Sequence, residues 1–210
     1  MKIFQENWAN PSYGGGEENP GCWFNFSMGD VEFFLMDCRY YRDDKRVSRP
    51  GKTMLGAYQK AELKKALLAS TATFKVICST VPMGYKTKNK NEFCDTWDGY
   101  AEERRELFKF LDDNKIEGVF ILAADRHRSD ARVIEREHGY PLYEFMSSRL
   151  TNQIVHSRSG QGTLFWYNEK CSFGKITFDL SLDDPTAIYD VVNIDNETVH
   201  SCTLKRSQLR

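Results

Sequence analysis

The sequence predicts a layered α/β fold, and three observations carry the prediction. Apolar, β-branched runs alternate with helical periods between residues 31 and 124. The run at 119–124 is apolar on both faces, as a central strand covered on both sides must be. Beyond Tyr140 the chain becomes strand-rich. With 210 residues, 40% hydrophobic and 28% charged, there is enough apolar chain to build a core, which excludes disordered, collagen-like and low-complexity classes.

Taken in order, residues 7–21 contain Pro11, Gly14, Gly15, Gly16, Pro20 and Gly21 and read as loop, while residues 1–6 look like the tail of something longer. Residues 22–28 alternate bulky with small or polar side chains, Gly29-Asp30 is a hairpin turn, and 31–36 is an apolar strand. After a charged loop, residues 55–68 set Leu63 with Leu67 and Ala61 with Leu68 at helical spacing, predicting a helix on a sheet. A strand follows at 74–79, then a Lys/Asn-rich loop reaching Trp97. Tyr100, Arg104, Leu107, Phe108 and Leu111 form one stripe of a second helix, with the Arg104 stem covering part of it. Further strands are expected at 142–146, 163–167 and 173–180, and a hairpin joins 187–192 to 198–204. No repeat or linker divides the chain, so residues 1–210 read as one domain with a β-rich terminal segment from 163 to 210.

The charge count, 29 Lys and Arg against 30 Asp and Glu, leaves no nucleic-acid-binding signature, so affinity for phosphate must be local. No stretch approaches the roughly 18 apolar residues of a membrane span. The six cysteines, at 22, 38, 78, 94, 171 and 202, form no C-x-x-C pair and read as mostly free thiols, with Cys78 a buried small hydrophobe.

Three predicted strands end in polar clusters, Asp37-Cys38-Arg39, Thr80-Val81-Pro82-Met83 and Asp125-Arg126-His127. In open α/β sheets ligands gather beyond the carboxyl ends of strands, so the clusters point to one rim. In extended backbone, side chains two apart point the same way, which lets the Asp125 carboxylate and the His127 imidazole meet one ion. The alternative is a charged turn among Arg126, Arg128 and Arg132. The same spacing sets Asp37 beside Arg39, whose planar cation suits bidentate phosphate contact or, equally, a local ion pair. Arg42 is a second substrate-binding candidate, whereas Arg46 and Arg49 read as solvated loop charges. Asp98 reads as a helix cap, and Trp97 as either a rim residue or packing. His138, His156 and His200 read as surface residues, and Trp8, Trp23 and Trp166 as packing.

The ordered series Asn10-Pro11, Gly21-Cys22-Trp23-Phe24, 29–34 (GDVEFF), 37–43 (DCRYYRD), 55–59 (LGAYQ), 95–100 (DTWDGY) and 125–127 (DRH) resembles the PhoD-like alkaline phosphatases, over nearly the whole chain. The resemblance implies a metallophosphatase-like sandwich, two β-sheets flanked by helices and incomplete at the N-terminus, with residues 1–8 ending a helix. It implies phosphomonoester or phosphodiester hydrolysis by a metal-activated water, with iron and calcium or related divalent ions. Asp125 and His127 match the late Asp-x-His motif that supplies metal-site residues, and Arg39 falls in a shared strand-end motif. Two departures stand out. Ala124 replaces the family's usual Gly, and the aspartate-rich first half of the family pattern has no counterpart here. The resemblance therefore implies a C-terminal portion that needs an N-terminal half, fused or as a separate chain, and an extracytoplasmic location. A truncated sandwich would also expose apolar surface. A non-catalytic binding or interaction module is the alternative.

Overall fold

The first hairpin follows from its turn. β1 (Phe24–Met28) and β2 (Val31–Leu35) pair antiparallel in a computed structural model that describes residues 2–84, 94–151, 153–155 and 160–210. Gly29 supplies the left-handed φ of 57° that the two-residue turn needs. β2, β3 (Phe74–Ser79), β4 (Val119–Ala123) and β6 (Leu142–Ser147) then run parallel. Parallel neighbours require crossovers, and α2 (Gly56–Ala69) and α3 (Ala101–Asp113) provide them. β5 (Ser129–Ile134) and β7 (Thr163–Tyr167) complete a seven-stranded sheet in the order β1-β2-β3-β4-β6-β5-β7. β8 (Ser172–Asp179), β9 (Thr186–Asn193) and β10 (Thr198–Lys205) form a three-stranded antiparallel sheet. The predicted terminal segment is thus divided, since β7 joins the first sheet.

The alternation of the central strands sets the layers. Ile77 and Ile121 share an apolar interior with Leu63 and Leu67 of α2 and Leu107, Phe108 and Leu111 of α3. On the other face Phe74 and Phe120 meet Phe178 of β8 at 5.6 and 6.2 Å between ring centroids, and Phe145 stacks on Tyr189 of β9 at 4.7 Å. The buried stripe of α2 is Gln59, Leu63 and Leu67, whereas Ala61 and Leu68 are exposed. The predicted Ala61/Leu68 pair is therefore corrected, because the i, i+4, i+8 row alone faces the sheet.

Arg128 and Arg132, which the alternative reading placed in a charged turn, lie just before β5 and within it. Its charges are buried because they neutralise one another: Asp130, fully inaccessible, accepts from Arg128 Nε at 2.7 Å and from Arg132 Nη2 at 3.0 and 3.1 Å. His200, expected at the surface, is half-buried and stacks on Phe165 at 4.5 Å. His138 is exposed, and His156 lies outside the described residues. All six cysteines are free thiols. Burial pushes the Cys78 thiol up to about 12 and also raises Cys38. α1 (Lys2–Asn7) buries none of its residues, and Ile3, Trp8, Leu164 and Trp166 stand exposed. Trp8 and Trp166 therefore depart from the packing expectation that Trp23, which is buried, fulfils. Among the described residues no helix is long and apolar enough to cross a membrane.

Candidate active site

Because β2, β3 and β4 are parallel neighbours, their carboxyl ends open at one rim. Arg39 follows β2 and Asp125 follows β4, with the end of β3 between them. Two strand spacings are about 10 Å. The arginine side chain crosses that gap, and its Nη2 lies 3.5 Å from Asp125 Oδ1. Both side chains are partly exposed, 49% and 30%, so the contact contributes little to stability. What it establishes is that two of the expected site residues meet.

Asp37 acts differently from the expected side-chain pair with Arg39. Its Oδ1 accepts the amides of Arg39 and Tyr40, both at 2.9 Å, and its Oδ2 accepts the Cys22 amide at 3.0 Å. β2 has ended by Asp37, so the turn's amides lack ladder partners and a short carboxylate takes them. Gln59 of α2 closes the corner, its Oε1 accepting the Asp37 amide at 2.8 Å and its Nε2 donating to the Asp37 carbonyl at 2.9 Å. The guanidinium of Arg39 is thereby left to reach across the rim. Asp37→Ala strands three amides, and urea unfolding is expected to show a loss of about 2–3 kcal/mol, with Asp37→Asn retaining most of the stability.

Arg42 turns to the loop before α3, where its Nη1 donates to the Asp95 carbonyl at 3.2 Å. Trp97 is fully buried beneath the rim, its Nε1 donating to Ser79 Oγ at 3.0 Å, which corrects its placement as a rim residue. An indole at that position fills the core and satisfies its one donor there. Asp98 accepts from Arg104 Nη1 at 2.9 Å, and the residues at the helix caps, Thr96 and Tyr100, make no side-chain capping bond. The expected cap is thus an ion pair.

Asp125 and His127 occupy a tight bend between β4 and β5, with left-handed φ values of 81° and 47°. The extended backbone assumed for their spacing is therefore absent. Left-handed backbone costs a residue other than glycine about 1–2 kcal/mol, a strain typical of ligand-holding loops. Ala124 keeps a negative φ, so its backbone does not need the freedom of a glycine there. The His127 amide donates to Ser148 Oγ at 3.0 Å, fixing the bend against the end of β6.

An ion takes about four to seven ligands. Among the described residues no group of three or more His, Cys, Asp or Glu side chains is placed to hold one. Asp125 and His127 offer two donors, so these residues alone do not fit a complete metal centre.

A further acid lies under this rim, one that no motif in the sequence marks. Glu144 of β6, fully buried, accepts the amides of Met83 and Gly84 at 2.5 and 3.1 Å. The available signal was a lone charge interrupting the apolar run at 142–146.

A family profile described as PhoD-like phosphatase matches residues 7–174. Alkaline phosphatase D of Bacillus subtilis (strain 168) is 27% identical over 121 residues, a match covering 50% of this chain and 21% of that protein. A solved structure described as "Structure of PhoD" superposes with a TM-score of 0.71 at 20% identity, covering 98% of this chain and 45% of its own. That likeness shows the fold, two sheets with few helices. The chain spans less than half the length of either relative.

Proposed function

The chain belongs to the PhoD-like phosphatase family, and from that premise we propose that it is the C-terminal portion of a metal-dependent phosphoester hydrolase whose substrate phosphate lies over the shared end of β2, β3 and β4. The observation that carries the proposal is the meeting of Arg39 and Asp125 across the end of β3. In this reading the guanidinium of Arg39 binds two phosphate oxygens, a geometry a planar cation suits, with Arg42 as a second ligand. Asp125 and His127 contribute two donors to a metal shell of iron, calcium or related ions. When bound, such ions supply a water of lowered pKa and offset charge on the phosphoryl group. The remaining donors come from polypeptide outside residues 1–210, fused or separate. An extracytoplasmic location belongs to the same proposal.

The donor deficit favours a second reading, a non-catalytic module that binds phosphate without turnover. One experiment separates the two. The chain is co-expressed with, or fused to, the part of a PhoD-like phosphatase it does not span, and hydrolysis of nitrophenyl phosphate and its diester is assayed with and without a chelator. Chelator-sensitive hydrolysis that falls about a hundredfold or more in Asp125→Ala and in His127→Ala supports the enzyme. Hydrolysis unchanged by both substitutions rejects these residues, and absence of turnover supports the module.

A further inference from the structure

A chain of buried charges lies under the rim. Glu144 Oε2 takes the Met83 and Gly84 amides, and its Oε1 lies 3.1 Å from Arg132 Nε. Arg132 also donates to both oxygens of Asp130, while Arg104 Nη1 donates to the Met83 carbonyl at 2.8 Å. Met83 and Gly84 present amides to Glu144 and Arg132 a cation, while burial pushes the Glu144 carboxyl above the usual carboxylate range. The segment at 81–84 is thus gripped from both sides, an acid on two of its amides and an arginine on a carbonyl.

A second set of bonds ties that segment to Arg39 at the rim and to Arg42 on the loop before α3. Ser79 Oγ donates to the Val81 carbonyl at 2.6 Å and lies 3.6 Å from Cys38 Sγ, one residue before Arg39. The Trp97 amide donates to the Pro82 carbonyl at 3.4 Å, two residues beyond Asp95, whose carbonyl receives Arg42. Arg39 and Arg42 therefore rest on backbone that meets at 79–84.

We propose that Glu144 is a positioning residue for the phosphate-facing arginines, fixing through the Met83 and Gly84 amides the segment on which Arg39 and Arg42 rest. The inference depends on those two arginines being phosphate ligands.

The test uses the chain itself, inorganic phosphate and residue-resolved NMR. Glu144→Gln keeps the shape but turns an NH2 group toward donors on one side or the other. The Met83 and Gly84 amides are expected to exchange about tenfold faster while Val76 and Ile121 keep their protection. Phosphate binding read at the Arg39 and Arg42 Nε–H signals should weaken about fivefold. Gly84→Ala supplies a second variant that leaves the charges in place, because its Cβ would stand 2.4 Å from Arg132 Cδ and 3.1 Å from Glu144 Oε1. It should give the same two changes, and it decides the matter if the glutamine variant unfolds. Unaltered exchange at 83 and 84 in a folded variant, or faster exchange with phosphate affinity intact, would overturn the role of Glu144. If wild-type arginine signals ignore phosphate, the phosphate-ligand reading fails instead. Movement of those signals between wild type and variant then decides whether Glu144 positions them.

Discussion

Asp130→Ala is expected to lower the stability of the chain by about 3–5 kcal/mol, enough to unfold a marginal domain at physiological temperature. The loss has a specific origin. Asp130 is fully inaccessible, and its carboxylate faces Arg128 Nε at 2.7 Å and Arg132 Nη2 at 3.0 Å. Removing it takes from two buried guanidinium groups the acid they share, while Arg132 keeps its contact with Glu144. Arg128 already feels its burial, which pulls its guanidinium pKa down against the opposing pull of Asp130. Urea unfolding checks the expectation, and Lys109→Ala is the control, since its exposed pair with Asp113 contributes a few tenths of a kcal/mol. Equal, small effects from the two substitutions would show that the buried network does not hold β5.

Arg39→Ala is expected to do the reverse, leaving the fold intact and abolishing most function. Its contact with Asp125 is half-exposed, so stability should change by no more than about 0.5 kcal/mol. In the proposed fusion or co-expressed complex, kcat/KM for nitrophenyl phosphate should fall about 10²–10³-fold, the usual cost of deleting one donor to a transferring phosphoryl group. Arg39→Lys should recover only part of that loss, because an ammonium cannot make the paired contact of a planar fork. A full recovery by lysine would mean that Arg39 supplies charge alone.

Much of the fold was legible in the residues. The hairpin at Gly29-Asp30, the parallel strands at 74–79 and 119–123 and the closing hairpin were carried by turn chemistry and apolar periodicity, which act locally. β5 was not legible, because its sequence, SDARVI, is half polar and becomes strand only when Asp130 meets two arginines and β6 supplies a partner. That is a tertiary cause with no local signature. The site divided in the same way. The convergence of Arg39 and Asp125 followed from strand order, which parallel topology dictates. The backbone of Asp125 and His127 did not follow, since alternation holds only within a strand and β4 ends at Ala123. Trp97 and Asp98 were ambiguous because one aromatic or one acid before a helix serves packing, capping and binding alike. Only the positions of Ser79 and Arg104 decided between them.

A crystal of the chain joined to the rest of a PhoD-like phosphatase, soaked with inorganic tungstate, would test the proposed phosphate site most directly, because the heavy atom marks the anion by its anomalous scattering. The expected peak lies beyond the ends of β2, β3 and β4, within hydrogen-bond reach of the Arg39 guanidinium and beside Asp125 and His127. A well-occupied peak elsewhere, with Arg39 still on Asp125 and turned from the anion, would contradict it.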